Sequence, residues 1–247
     1  MKLALLADIH SNLEALTACL EHAQGHGAVR YAFLGDLVGY GADPVAVLDL
    51  VESYVASGAV VVCGNHDAAV AGQVTETMNE AAEAAVAWTR AQLGDKQRAF
   101  LESLPMAVRE EKILFVHASA DAPEKWVYVS DPLCAEHSMA ATDAHYVFCG
   151  HVHEPVLYYI GARGRPLPFT PVSGTPIPVG AHRKWLAIVG SAGQPRDGNT
   201  AACYAILDMD RAMLTFYRVP YDYSSAAAKI RAAGLPERLA QRIERGE

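Results

Sequence analysis

Asp8-Ile9-His10, Gly35-Asp36, Gly64-Asn65-His66-Asp67, His117 and Gly150-His151-Val152-His153 are the residues of this chain whose types and spacing could do chemistry. They offer carboxylate and amide oxygens with imidazole nitrogens, and no cysteine. Hard and borderline donors of this kind suit Mn, Fe, Zn or Ni better than a thiolate-preferring metal. Their number points to two ions. One octahedral ion that keeps positions open for substrate does not need so many protein groups, whereas two ions sharing a carboxylate do. Asp36, alone on its loop behind a glycine, is the natural shared ligand.

Each motif is weak alone. A lone histidine at a strand end is more often a surface or core residue. An Asp in a βα loop commonly caps the next helix, and Gly-Asn-His-Asp fits a tight turn. Gly-His-x-His-x-Pro is stronger, because paired histidines at i and i+2 on a loop rarely serve packing. The specificity lies in the full set, since each motif directly follows an apolar run that reads as a buried strand. Catalytic groups at the carboxyl ends of strands are where open α/β sheets build their sites.

The elements that must position them follow from hydrophobic period and turn chemistry. Strands are predicted over 2–7, 30–34, 59–63, 112–117 and 145–149. Ser11 with Glu14 reads as a capping box ahead of Leu13, Leu16 and Leu20 on one helical face. Asp43-Pro44 reads as N-cap and N1 of a helix through Tyr54. Further helices are expected over 78–93, 96–104, stopped by Pro105, and 132–140. Strand–helix–strand–helix–strand in the first third implies parallel pairing with right-handed crossovers. After residue 150, strands over 156–160, 165–169, 184–189, 201–207 and 212–219 joined by Gly-rich turns read as a meander. Residues 224–247 are helical again, broken at Gly234-Leu235-Pro236. Two sheets are expected, in an α/β chain of 247 residues read as one domain.

Composition excludes several classes. The chain is 51% hydrophobic and 19% charged, which is globular rather than disordered. A net charge of −8 demotes duplex nucleic acid as a partner. No apolar run approaches the ~20 residues of a membrane span, and Asp8 and His10 interrupt the N-terminal run before it reaches signal-peptide length. Five scattered cysteines without C-x-x-C spacing read as reduced core thiols of a cytoplasmic protein.

Taken in order, D-x-H, G-D, G-N-H-[DE], a lone H and G-H-x-H, the motifs resemble those of the calcineurin-like binuclear metallophosphoesterases. Residues 189–198, VGSAGQPRDG, resemble a loop of the small bacterial and archaeal branch. The resemblance implies two facing mixed β-sheets flanked by helices, a four-layer α-β-β-α sandwich. It implies two divalent transition-metal ions, Mn ahead of Fe, Zn or Ni. Asp8, His10, Asp36 and His153 would hold one, and Asp36, Asn65, His117 and His151 the other. His66 would face the substrate free of metal. Such a site attacks a phosphate ester with a hydroxide bridging the two ions.

One departure bears on substrate. Protein phosphatases and symmetrical dinucleoside tetraphosphatases of this superfamily extend the second motif to G-D-x-x-D-R-G, and here it reads Gly35-Asp36-Leu37-Val38-Gly39-Tyr40-Gly41. The acid that would orient the catalytic histidine is Gly39, and the phosphate-gripping arginine is Tyr40. Asp43 and Asp67 are the candidates left to orient His66. Arg196 is a candidate phosphate contact, and Tyr40 a candidate pocket wall. His137, His145 and His182 match no motif. Arg238, Arg242 and Arg245 read as a solvated face or a homo-oligomer contact. The expectation is a phosphodiesterase acting on a small phosphate ester. A phosphomonoesterase or nucleotide polyphosphate hydrolase is the rival within the class, and a non-catalytic protein-binding scaffold the rival outside it.

Overall fold

The computed structural model describes residues 1–73, 78–161 and 164–247. Two six-stranded mixed sheets face one another. In the first, β3 (Val60–Val61), β2 (Arg30–Phe33) and β1 (Lys2–Leu6) run parallel, and β11 (Ala202–Asp208), β12 (Met213–Val219) and β9 (Ile177–Pro178) continue it antiparallel. The second has the order β4 (Ala107–Glu110), β5 (Ile113–Val116), β6 (Tyr146–Cys149), β10 (Trp185–Ile188), β7 (Val156–Ile160), β8 (Pro166–Phe169). In it β5, β6 and β10 are parallel, and both edges are antiparallel.

The apolar runs are continuous because both faces of each sheet are covered. On β1, Leu3 and Leu5 point between the sheets with Phe115, Phe148, Ala187, Leu207 and Phe216. Ala4 and Leu6 point the other way, against Leu16 and Cys19 of α1 (Leu13–Gly25) and Val47 and Val51 of α2 (Pro44–Ala56). Val147, Leu186 and Ile188 of the second sheet turn outward onto Ala135 and Met139 of α6 (Pro132–Ala140). This is the expected four-layer sandwich. Three helices complete the first half: α3 (Asn65–Ala71), α4 (Glu80–Gln92) and α5 (Asp95–Glu102). Two close the chain, α7 (Tyr223–Ala232) and α8 (Glu237–Arg245), separated at Gly234 with φ +70°. No helix among the described residues is long and apolar enough to cross a membrane.

Three local expectations are corrected. The strands after residue 150 do not form one meander. β7, β8 and β10 extend the second sheet, while β11, β12 and β9 return to the first, a choice set by contacts between distant segments rather than by local period. The N-cap of α1 is Asn12, whose side chain accepts from the Ala15 amide at 3.1 Å. Ser11 sits at φ +53° with its amide donating to the Leu37 carbonyl, a conformation an N-cap cannot use. Asp43 occupies the N-cap position of α2 but makes no cap bond. Its carboxylate accepts from Lys229 Nζ at 2.8 Å. The strands β4 and β9 and the seven-residue α3 were too short to show a period.

Candidate functional site

Five loops leave the carboxyl ends of the strands, and they are tied to one another by backbone hydrogen bonds. Asp8 N–H donates to the Gly35 carbonyl (3.1 Å), His10 N–H to Asp36 (2.9 Å) and Gly150 N–H to His117 (2.9 Å). These bonds hold the backbone where side-chain-bearing residues seldom go. Asp8, His10, Asp36, His151 and His153 all have φ between +50° and +68°. Such conformations cost on the order of 1–3 kcal/mol each and persist only where surroundings over-determine them. Gly150 is required for a different reason: a Cβ there would lie 2.5 Å from both Asp8 Oδ2 and Ala7 Cβ. Gly150→Ala is therefore expected to destabilise the fold by about 1–3 kcal/mol through overpacking. Its thermal midpoint should be compared with that of Gly25→Ala, where nothing lies within 4 Å. Equal midpoints would contradict the tight packing at Gly150.

The side chains converge in two buried groups that share Asp36. Ligand atoms of Asp8, His10, Asp36 and His153 lie within 4.8 Å of one another, and so do those of Asp36, His117 and His151. One oxygen serves both groups. Asp36 Oδ2 is 3.6 Å from His10 Nε2 and 3.4 Å from His117 Nε2. The other oxygen, Oδ1, accepts from the His66 amide at 2.8 Å. Asn65 Oδ1 lies 3.2 Å from His117 Nε2, which adds an amide oxygen to the second group. Asp8 Oδ1 is 3.4 Å from His153 Nε2, and both Asp8 oxygens accept from the His151 amide.

Backbone carbonyls set the tautomers. Nδ1–H of His10, His117 and His153 donates to the carbonyls of Val38 (3.3 Å), Leu34 (2.7 Å) and Gln194 (2.6 Å). His151 is reversed, donating Nε2–H to Trp126 at 3.0 Å and leaving Nδ1 free. In its neutral form each imidazole thus turns a lone pair inward, the arrangement that orients metal-binding histidines. His10 Nε2 and His153 Nε2 face each other at 3.1 Å. Two neutral imidazoles aiming lone pairs at one another are stable only with a cation between them.

Protons cannot supply that charge. Burial holds His10 and His153 well below the usual histidine range, and burial followed by the His117 charge pushes His151 down to about 3. Burial also works against charge on Asp36 and His117. Their mutual attraction outweighs it, so Asp36 lies well below the usual carboxylate range and His117 is raised to about 9. Asp8 is pushed up to about 7, first by burial and further by Asp36. The donor set, dry and short of positive charge, fits divalent metal ions.

His66 sits in the first turn of α3, apart from both groups, with its ring 5.0 Å from that of His10 and 4.4 Å from that of Tyr40. Its Nδ1 is buried without a hydrogen-bond partner among the described residues. Neither candidate orienting acid reaches it. Asp43 pairs with Lys229. Asp67 accepts from the amides of Val38 (3.1 Å) and Gly64 (3.0 Å), stapling the loop after β2 to the start of α3. Gly39 does abut the ring: a Cβ there would lie 2.7 Å from His66 Nδ1. The position is right for an orienting acid, and the residue has no group to offer.

Tyr40 and Arg196 both lie at the site. The Tyr40 ring is 4.6 Å from His10, and the Arg196 guanidinium carbon is 5.9 Å from the Tyr40 centroid. Arg196 also donates to Gln194 Oε1 at 2.9 Å. One residue was missed. Arg242 of α8 lies 5.9 Å over the same ring, so it is not part of a solvated face. Only the docking of α8 on Tyr40, through Leu239, Ala240 and Ile243, singles it out from Arg238 and Arg245.

Comparison with known proteins shows what the chain is similar to. A family model described as the calcineurin-like phosphoesterase superfamily domain matches residues 1–212. An uncharacterized protein of Methanocaldococcus jannaschii is 33% identical over 246 residues, covering 98% of this chain and 96% of that one. The crystal structure of a metallophosphoesterase from Sphaerobacter thermophilus is 35% identical, with TM-score 0.88 and coverage of 100% and 99%. A hypothetical protein from Pyrococcus horikoshii OT3, 21% identical, shares the fold at TM-score 0.79, covering 100% and 98%.

Proposed function

The chain belongs to the calcineurin-like phosphoesterase superfamily and is a metal-dependent phosphoester hydrolase; from that premise we propose that it is a phosphodiesterase holding two divalent ions, Mn ahead of Fe, Zn or Ni. The observation that carries the two-ion reading is the single Asp36 oxygen lying between a histidine of each group. Asp8, His10, Asp36 and His153 would hold one ion, and Asp36, Asn65, His117 and His151 the other. When bound, the pair supplies Lewis acidity and a water nucleophile of lowered pKa.

The chain's own residues do the rest. Two divalent ions bring +4 and Asp8 with Asp36 return −2, so the site is locally cationic on a chain of net charge −8. An anionic ester is attracted there in spite of the acidic surface. His66, next to the ligand Asn65 and free of both groups, protonates the leaving oxygen. Tyr40 walls the pocket, and Arg196 grips phosphate. The neutral Tyr40, standing where protein phosphatases place an arginine, favours a diester monoanion over a phosphomonoester dianion. We read residues 1–247 as one domain, working in the cytoplasm on a small phosphate ester.

Purified protein is expected to retain close to two transition-metal ions per chain by elemental analysis. It should hydrolyse bis(p-nitrophenyl) phosphate with Mn and lose that activity to chelator. Full activity in metal-free, chelator-treated protein would sink the two-ion reading.

A further inference from the structure

Arg196 and Arg242 come from distant parts of the chain, the loop after β10 and the last turns of α8, yet both guanidinium carbons lie 5.9 Å from the centroid of Tyr40. The Tyr40 ring in turn touches His10 and His66, at 4.6 and 4.4 Å. So two permanent cations stand one aromatic ring away from the candidate metal groups. Neither is ion-paired, although Asp8 feels the charge of Arg196 and Arg242 donates a hydrogen bond to Tyr40. Among the described residues, no carboxylate lies within ion-pair distance of Arg196 or Arg242. Asp197, beside Arg196 in sequence, is taken by Arg218. Glu237 and Glu244, on the same helix as Arg242, are taken by Arg231. Asp43 and Glu14 are taken by Lys229. Arg196 is satisfied only by the neutral Gln194 side chain.

Holding two like charges beside one ring, partly buried and without an ion pair, costs free energy. The burial of Arg242 and the nearby charge of Arg196 both lower the Arg242 pKa, which is the sign of that cost. A ligand anion would recover it. Guanidinium forks match phosphate oxygens in bidentate geometry, and Tyr40 fixes where both forks stand. The metal groups already account for one phosphoryl group. Arg196, read above as a phosphate contact, would then serve with Arg242 a second group rather than the one at the metals.

We propose that Arg196 and Arg242, set on Tyr40, form a subsite for a second phosphoryl group, so that the preferred substrate is a phosphoester carrying another phosphate close to the scissile one. The proposal deepens the phosphoesterase reading and rests on it. The second phosphate can belong to a di- or polyphosphate chain or to a separately phosphorylated hydroxyl of the same molecule.

Calorimetric titration of the Mn-loaded protein with AMP, ADP and adenosine 3′,5′-bisphosphate tests this, beside hydrolysis of bis(p-nitrophenyl) phosphate by the same preparation. At least one of the doubly phosphorylated nucleotides should bind about tenfold or more tighter than AMP. ADP alone doing so identifies a polyphosphate chain, and the bisphosphate alone a second phosphorylated hydroxyl. Arg242→Ala should bring the ratio close to one. Arg196→Ala, made on a different element, should do the same without disturbing α8. Arg242→Lys, which keeps the charge and loses the fork, should fall between. Hydrolysis of the diester with all three nucleotides bound equally, or a preference that survives both alanine variants, overturns the subsite and leaves the phosphoesterase standing. No hydrolysis with any candidate metal overturns both.

Discussion

Asp36→Asn is expected to empty both metal positions and to lower the phosphoesterase rate by about 10²–10³-fold or more, the scale of losing a preorganised electrostatic group. Asp8→Asn should do less, because Asp8 belongs to one group and Asp36 to both. The asymmetry follows from one atom. Asp36 Oδ2 faces His10 at 3.6 Å and His117 at 3.4 Å, so weakening it disturbs two coordination sets together. The substitution is isosteric, and the amide keeps an oxygen to accept from the His66 amide, so the loop geometry should survive. The measurement is metal content per chain and diester hydrolysis for wild type, Asp8→Asn and Asp36→Asn side by side. An Asp36→Asn protein that keeps two ions and wild-type rate would remove the bridging role.

His66→Asn is expected to lower turnover by about 10²–10⁴-fold, the range for a lost general acid, with metal content near that of wild type. His66 is buried beside the metal groups, yet its ring belongs to neither of them. The loss should grow with the pKa of the leaving group. A p-nitrophenolate needs little protonation on departure, whereas an alkoxide needs much. The test is kcat across esters of rising leaving-group pKa, with metal content measured on each preparation. An equal loss across the series would make His66 a neutral hydrogen-bond donor to a phosphate oxygen, a role its burial-lowered pKa would suit. Loss of one ion would instead make it a ligand.

The sequence alone marked the candidate donors of the site and the strands that carry them. Asp8, His10, Asp36, Asn65, His117, His151 and His153 are legible because each follows an apolar run. A run buried on both faces can only be an interior strand, and its end can only be a loop at one sheet edge. Two sheets follow from the same runs, and the α-β-β-α layering from the resemblance that the ordered motifs carry. What the tertiary structure alone decided is everything set by contacts between distant segments. The strands after residue 150 divide between two sheets, and local period does not say which sheet a strand joins. Ser11 is displaced from its cap by a hydrogen bond to Leu37, and Asp43 keeps the cap position while its carboxylate turns to Lys229 from a distant helix. The positive φ of Asp8, His10, Asp36, His151 and His153 leaves no mark on residue type, because glycine is the residue that usually signals it, and the neighbouring loops hold the strain. Arg242 is the extreme case. On its own helix it is one of three similar arginines, and only the packing of that helix onto Tyr40 sets its charge beside Arg196.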